Sequence, residues 1–432
     1  MLLPETAERR ADGHLFIGGC DVDRLAAEHG TPLYIYDEAT LRSRLRAYRD
    51  ALSLWPAGGE VLYSAKSYLG VAMVRLLVEE GCGIDVVSGG ELELALRAGM
   101  PAAAIGFPGN NKSRGEVEMA ARHGIGHLVI DSELEMEMVA ALRDVAPVRA
   151  LLRVSPSVQP DTHAHISTGQ LDSKFGFSIE TGAAAEAIRQ AIVTPNLELV
   201  GIHMHVGSQL QDAAAHVAAI GRAAELLGGL RASIGYTASS VSVGGGLGIQ
   251  HTSADAPMEI ADFCTVVLHE VLDTFDRNGL SLPRVIVEPG RSVSGPAGVA
   301  VYTVGARKMI PGVRTYVSLD GGMADNLRPK LYGARYEPVA VVERHGAPLE
   351  TVTLAGRYCE STDVLVTDAR LQRLTAGDLV AVPAAGAYTL SMSSNYNGAP
   401  RPAVVFVAAG RARLVRRRET LDDWLAAEIA GG

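Results

Sequence analysis

From residue 61 onward, short β-rich runs alternate with helix-like stretches, and this alternation does most to narrow the folds open to the chain. The runs are "VLYSAK" (61–66), "IDVVS" (84–88), "AAIGF" (103–107), "HLVID" (127–131), "RALLRVS" (149–155), "LVGIHMHVG" (199–207), "SVSVGGG" (240–246) and "RVIVEPG" (284–290). Between them, segments such as "GGELELALRAGM" and "SELEMEMVAALRDV" place apolar residues at three- and four-residue spacing, the pattern of a one-sided helix. Strand, helix, strand in repetition predicts a parallel sheet. Eight such strands fit a closed (β/α)8 TIM barrel better than an open doubly wound sheet.

After Pro289 the helical periodicity fades, and short strands with Gly/Pro turns take over, as in "GVAVYTVGARKMIPGVRTYVSLDGG". This predicts an α/β protein in two parts: a barrel over 34–292 and a mostly-β C-terminal domain formed by 1–33 plus 293–432. A net charge of −10, with Arg416 to Arg418 the one basic run, excludes a nucleic-acid footprint. Four scattered cysteines show neither a C-x-x-C pair nor a zinc spacing, so no metal site is expected. With no apolar leader and no run of 18 apolar residues, the expectation is a cytoplasmic protein that does not engage a membrane.

Barrel enzymes carry their chemistry at the C-terminal ends of the strands. Lys66 ends the first run, where either Schiff-base chemistry with a carbonyl or a stem that packs while its head reaches solvent accounts for it. Gly244, Gly245 and Gly246 end the seventh, as a cradle of backbone N–H groups for a phosphate or simply a tight turn. Ser208 adds a hydroxyl to such a cradle or caps the next helix, and Arg291 adds a positive charge. Glu288 at the end of the eighth run needs a cation, either a protonated pyridine nitrogen or a neighbouring arginine. His203 and His205 alternate onto one face of the sixth run, so either one is placed to lie flat on a planar ring or to serve as a core histidine. Taken together, these groups describe a site for pyridoxal phosphate.

The motifs "YSAK", "DVVSGGEL", "GNNKS", "STGQLDSKFGFS", "GIHMHVGSQ", "GGGLGI", "EPGRS", "DGGMADNLRPKLYG", "CESTD" and "GAYTLSMSSNYN" follow one another along nearly the whole chain. In these the sequence resembles the ornithine/diaminopimelate/arginine decarboxylase family of pyridoxal-phosphate enzymes, which have the alanine-racemase-like fold. The resemblance implies that Lys66 anchors the cofactor, His205 stacks on its ring and Glu288 pairs with the pyridine nitrogen. Ser208, Gly245, Gly246, Gly290, Arg291 and Tyr388 would surround the phosphate, with Tyr388 also reaching substrate. Arg328 and Tyr332, with Arg291, match positions that hold a substrate carboxylate. Cys359 matches the proton donor and Glu360 the group that reads a distal ammonium; both would enter the partner's site in a homodimer with shared active sites.

The implied reaction turns meso-2,6-diaminoheptanedioate into L-lysine and carbon dioxide, the last step of lysine biosynthesis. The alternatives are a decarboxylase of the same fold acting on a polyamine precursor or a carrier-bound amino acid, and a non-catalytic homologue. The chain departs from the family's usual pattern beside three of these motif residues: Ser67-Tyr68 stands where Ala-Asn is common, Thr362 where glycine is, and Arg357 where proline is.

Overall fold

A computed structural model describes residues 2–158 and 173–429. The chain divides into two compact units, one of Arg44–Gly248 and Pro257–Ser292, the other of Met1–Ser43, Ile249–Ala256 and Val293–Gly432.

The first unit is the barrel. Its strands are β1 (Gly59–Ser64), β2 (Gly83–Asp85), β3 (Ile105–Phe107), β4 (His127–Ile130), β5 (Val148–Ser155), β6 (Leu197–His203), β7 (Ser240–Ser242) and β8 (Arg284–Val287). Each pairs in parallel with the next, and β8 returns to β1 with Val285 opposite Gly59, closing the sheet. Helices α1 (Val71–Glu79), α2 (Gly89–Arg97), α3 (Arg114–His123), α4 (Glu133–Ala140), α5 (Ala183–Val193), α6 (Ala214–Ile234) and α7 (Ile260–Arg277) form the crossovers. Serine starts three of them in succession: Ser88, Ser113 and Ser132 each accept a hydrogen bond from the backbone N–H of a glutamate three residues on, satisfying a donor that the first helical turn leaves free.

The motif "GNNKS" has a structural use. Lys112 is buried in the loop before α3 and donates to the carbonyls of Gly109 and Val129 and to Glu135 Oε2, at 2.6, 2.7 and 2.9 Å. Inside the barrel, Leu62, Val129, Leu151, Val200 and Ile286 pack as one apolar cluster. Leu151 is fully buried there, so Leu151→Ala should lower the unfolding free energy by about 3 kcal/mol in a denaturant titration, through lost burial and a residual cavity.

All eight expected strands are present. Several end earlier than their apolar runs suggested: β6 stops at His203, β7 at Ser242 and β8 at Val287. The ladder ends there, and the following residues leave it as loops. His205, the three glycines and Glu288 therefore stand just beyond the strands rather than on them.

The second unit is built on a mixed sheet. Its centre is the long strand Gly298–Ile310, whose first half pairs with Leu33–Asp37 and Leu379–Val382 and whose second half pairs with Arg314–Leu319. Leu349–Ala355 and Val364–Gln372 extend it on one side, and the hairpin Ala403–Ala408/Arg411–Arg416 on the other. Ile17, Val22, Leu33, Ile35, Val299, Val301, Val405 and Val407 form its core. A boundary at residue 34 would cut the strand Leu33–Asp37. Its hydrogen bonds to Gly298–Val301 and Ala403–Val407 place that strand in the β-rich unit, which thus runs to Ser43.

Candidate active site

Lys66 lies in a single 3-10 turn, Ala65–Ser67, directly after β1. The turn is fastened from below. Ser67 Oγ donates to the Ser64 carbonyl at 2.9 Å and meets the Tyr63 hydroxyl at 2.8 Å, and that hydroxyl donates to the Tyr68 carbonyl at 2.9 Å. Tyr68 is itself buried, whereas Lys66 is exposed. The backbone N–H of Ser64 donates to the Pro289 carbonyl, which ties the turn to the end of β8. A Cβ on Gly290 would come within 3.0 Å of the Ser64 and Ser67 Cβ atoms, so a side chain there would crowd this junction.

Glu288, the first residue after β8, is buried and accepts two hydrogen bonds, from His203 Nε2 to Oε2 at 3.0 Å and from Ser242 Oγ to Oε1 at 2.7 Å. Burial pushes its carboxyl up, but His203, by its electrostatic pull and its hydrogen bond, and the Ser242 hydroxyl outweigh that and hold it well below the carboxylate range. The partner of Glu288 within the chain is thus a histidine and a serine, not the arginine one sequence reading allowed.

His205 is held well below the usual imidazole range, first by burial and then by the positive charges of Lys66 and Arg153, so its ring is neutral near pH 7. Its Nδ1 accepts from the Gly245 N–H at 3.4 Å. At Gly245 a Cβ would lie 2.1 Å from the Glu288 carbonyl oxygen, leaving no room for any side chain. The Gly245 carbonyl in turn hydrogen-bonds His216 Nε2 at 2.9 Å. Arg291 is buried and donates to Ser208 Oγ through Nη2 and Nε, at 3.0 and 3.3 Å. Ser208 does not cap a helix, because α6 begins only at Ala214.

Asp85, at the end of β2, escaped the sequence reading although it obeys the same strand-end rule as Glu288. It is buried and accepts from Ser64 Oγ at 3.0 Å. Burial and the Glu288 charge raise its carboxyl to about 7, against the pull of Lys66 and Ser64. Arg153, on β5, is also buried, 3.7 Å from Asp131 and stacked on the Phe175 ring at 4.2 Å. The first part of the motif "STGQLDSKFGFS", residues 167–172, lies outside the described residues.

The remaining candidates stand in the β-rich unit. Arg328 opens the short helix Arg328–Tyr332 and is buried, its guanidinium 5.7 Å from the ring centre of Tyr332 and 6.0 Å from that of Tyr388. Two of its nitrogens, Nε and Nη1, have no hydrogen-bond partner among the described residues. Tyr388 takes a positive φ of 56°, a strained choice for an aromatic residue and one that concentrates at functional sites. Cys359 and Glu360 are exposed. Their loop is anchored by the Cys359 N–H on Asn397 Oδ1 and by buried Asp363, whose carboxylate accepts from the N–H groups of Met323 and Tyr358. The Glu360 carboxylate accepts from the N–H and hydroxyl of Thr362, at 3.1 and 3.0 Å, which lowers its pKa.

Two buried histidines of the barrel set a pH window for stability. Burial depresses both His127 and His216 to about 4, so the folded protein keeps these rings neutral where the unfolded chain protonates below about 6.5. Between those values the unfolded state binds more protons. Stability should therefore fall as pH drops from about 6.5 to about 4, then level off with respect to these groups. Denaturation midpoints measured against pH should show that slope, reduced in a His127→Leu variant.

A parallel barrel with a lysine, a glycine cradle and a buried carboxylate at its strand ends is the arrangement of a pyridoxal-phosphate enzyme. Residues 38–295 match the family model described as pyridoxal-dependent decarboxylase, pyridoxal binding domain, which makes the chain an amino-acid decarboxylase with pyridoxal phosphate as its cofactor. It is 44% identical to the diaminopimelate decarboxylase of Bacillus subtilis over 98% of this chain and 97% of that protein. The diaminopimelate decarboxylase of M. jannaschii, solved in complex with L-lysine, superposes with a TM-score of 0.93 at 33% identity, covering 100% of this chain and 99% of that one. A lysine/ornithine decarboxylase from Vibrio vulnificus, solved with cadaverine, gives 0.76 at 26% identity over 89% and 97%. The chain belongs to the diaminopimelate decarboxylase family.

The residues present fit the cofactor. An ionised, buried carboxylate suits a protonated pyridine nitrogen, and a neutral His205 suits the face of its ring. The side-chain-free Gly245, together with the Ser208 hydroxyl and the Arg291 guanidinium, suits a phosphate dianion. Among the described residues no helix is long and apolar enough to cross a membrane.

Proposed function

We propose that this chain decarboxylates meso-2,6-diaminoheptanedioate to L-lysine and carbon dioxide as the last step of lysine biosynthesis, in the cytoplasm, where its four free cysteines remain reduced. The observation that carries the choice of substrate is Arg328, a buried guanidinium with two nitrogens that lack a hydrogen-bond partner among the described residues. Such a group calls for an anion, and the distal carboxylate of this substrate supplies one, whereas ornithine has none.

Pyridoxal phosphate, when bound, supplies the electron sink for the pair left at Cα as carbon dioxide departs. Lys66 anchors it through its ε-amine, His205 lies against its ring, and Ser208, Gly245, Gly246, Gly290, Arg291 and Tyr388 hold its phosphate. Glu288 keeps the ring nitrogen protonated. Arg328 and Tyr332, with Arg291, hold a substrate carboxylate, Glu360 reads the distal ammonium, and Cys359 delivers a proton to Cα. Thr362, through its two hydrogen bonds to Glu360, fixes the direction in which that carboxylate points.

The exposure of Cys359 and Glu360 in one protomer supports a homodimer in which they complete the partner's site. Mixing Lys66→Ala and Cys359→Ala proteins tests this. Random exchange makes half the dimers mixed, each with one intact site, so about a quarter of the wild-type activity should return; no recovery would show that each site is built from a single protomer. Substrate choice is tested by kcat/KM for meso-2,6-diaminoheptanedioate against ornithine and carboxynorspermidine. Turnover of either of those with none of the first would replace this proposal by the polyamine alternative.

A further inference from the structure

The two hydrogen bonds on Glu288 come from strands distant in sequence. A carboxylate can only accept, so the proton of the 3.0 Å contact sits on His203 Nε2 and that of the 2.7 Å contact on Ser242 Oγ. Ser242 Oγ also accepts from the Gly244 N–H at 3.2 Å, which leaves its own hydrogen directed at Glu288. His203 is the last residue of β6, Ser242 the last of β7, and Glu288 follows β8, so three adjacent strand ends meet on one carboxylate. His203 is 1% exposed and its other ring nitrogen, Nδ1, is buried without a hydrogen-bond partner among the described residues. Among the described residues its side chain hydrogen-bonds to Glu288.

We infer that His203 and Ser242 are positioning residues, a pair of donors that keep Glu288 ionised and aimed at the ring nitrogen of the cofactor. The inference rests on the role given to Glu288 above. Without a donor on each oxygen, a carboxyl this deeply buried would take up a proton, and a neutral acid no longer holds the positive charge on the ring nitrogen that the chemistry requires.

The test is a double-mutant cycle on the holoenzyme with three readouts: kcat and KM, the pH titration of the bound cofactor's visible absorbance, and the Kd of the apoprotein for pyridoxal phosphate. His203→Phe and Ser242→Ala should each lower kcat by about 10- to 100-fold, as expected for loss of a hydrogen bond to a charged group. The substrate KM should change far less, the absorbance titration should shift, and the Kd should rise. His203→Gln, which keeps a donor, should recover part of the loss. In a Glu288→Gln background neither substitution should cost more, because the partner through which both act is gone. Ser242→Ala, which removes a single atom, keeps the test open if His203→Phe folds poorly. Losses that persist undiminished beside Glu288→Gln, or wild-type kcat and absorbance in both single variants, would overturn the inference while leaving the role of Glu288 standing. Wild-type behaviour of Glu288→Gln itself would overturn both.

Discussion

Lys66→Ala should give a folded protein that has lost at least about 10⁴-fold in kcat, the scale seen when a covalent catalytic group is removed. The two halves of that result come from different parts of the structure. The turn carrying Lys66 is held by Ser67, Tyr63 and the Ser64 contact to Pro289, none of which involves the lysine side chain. Truncating that exposed side chain leaves these bonds in place, so the turn and the barrel should still form. Circular dichroism and the denaturation midpoint should match wild type while decarboxylation disappears. Borohydride reduction of the wild-type holoenzyme should leave the cofactor's mass on the peptide containing Lys66 and on no other.

Arg328→Met should move stability and activity in opposite directions. Arg328 is 4% exposed, with Nε and Nη1 lacking a hydrogen-bond partner among the described residues. Replacing a buried charge of this kind by an apolar side chain of similar length removes a desolvation cost, and comparable replacements have been neutral or stabilising by about 1–4 kcal/mol. In the substrate complex the same replacement leaves a carboxylate without its partner, which costs roughly 2–5 kcal/mol. For meso-2,6-diaminoheptanedioate, kcat/KM should therefore fall by about 10³-fold while the denaturation midpoint holds or rises. A drop in both would mean that Arg328 supports the fold of the helix Arg328–Tyr332 rather than a ligand.

What the sequence made legible follows from range. Eight apolar runs separated by one-sided helices identify the barrel, since each run and each cap, such as Ser113 with Glu116, is decided within a few residues. Lys66, Gly245 and Glu288 were recognisable because strand ends are where such residues are costly unless used. The pairing of Glu288 with His203 and Ser242 was not, because it joins residues 85 and 46 positions apart, and neither the strand stagger nor the direction of a side chain just past a strand is written in local pattern. Arg328 and Tyr332 read locally as a surface pair, four apart on a helix; burial of Arg328 is set by what packs around the helix. Of the residues that depart from the family pattern, Tyr68 is buried beneath the lysine turn, and Thr362 bonds to Glu360. A glycine at 362 would keep the backbone N–H bond to Glu360 and lose only the hydroxyl one.

The measurement that bears most directly on the central claim is product analysis of purified holoenzyme given meso-2,6-diaminoheptanedioate in D₂O. The account predicts equimolar carbon dioxide and L-lysine, with a single non-exchangeable deuterium on the ε-carbon of the lysine, the carbon that lost its carboxylate, and none at lysine Cα. Absence of carbon dioxide, or its release with a product other than lysine, would contradict it.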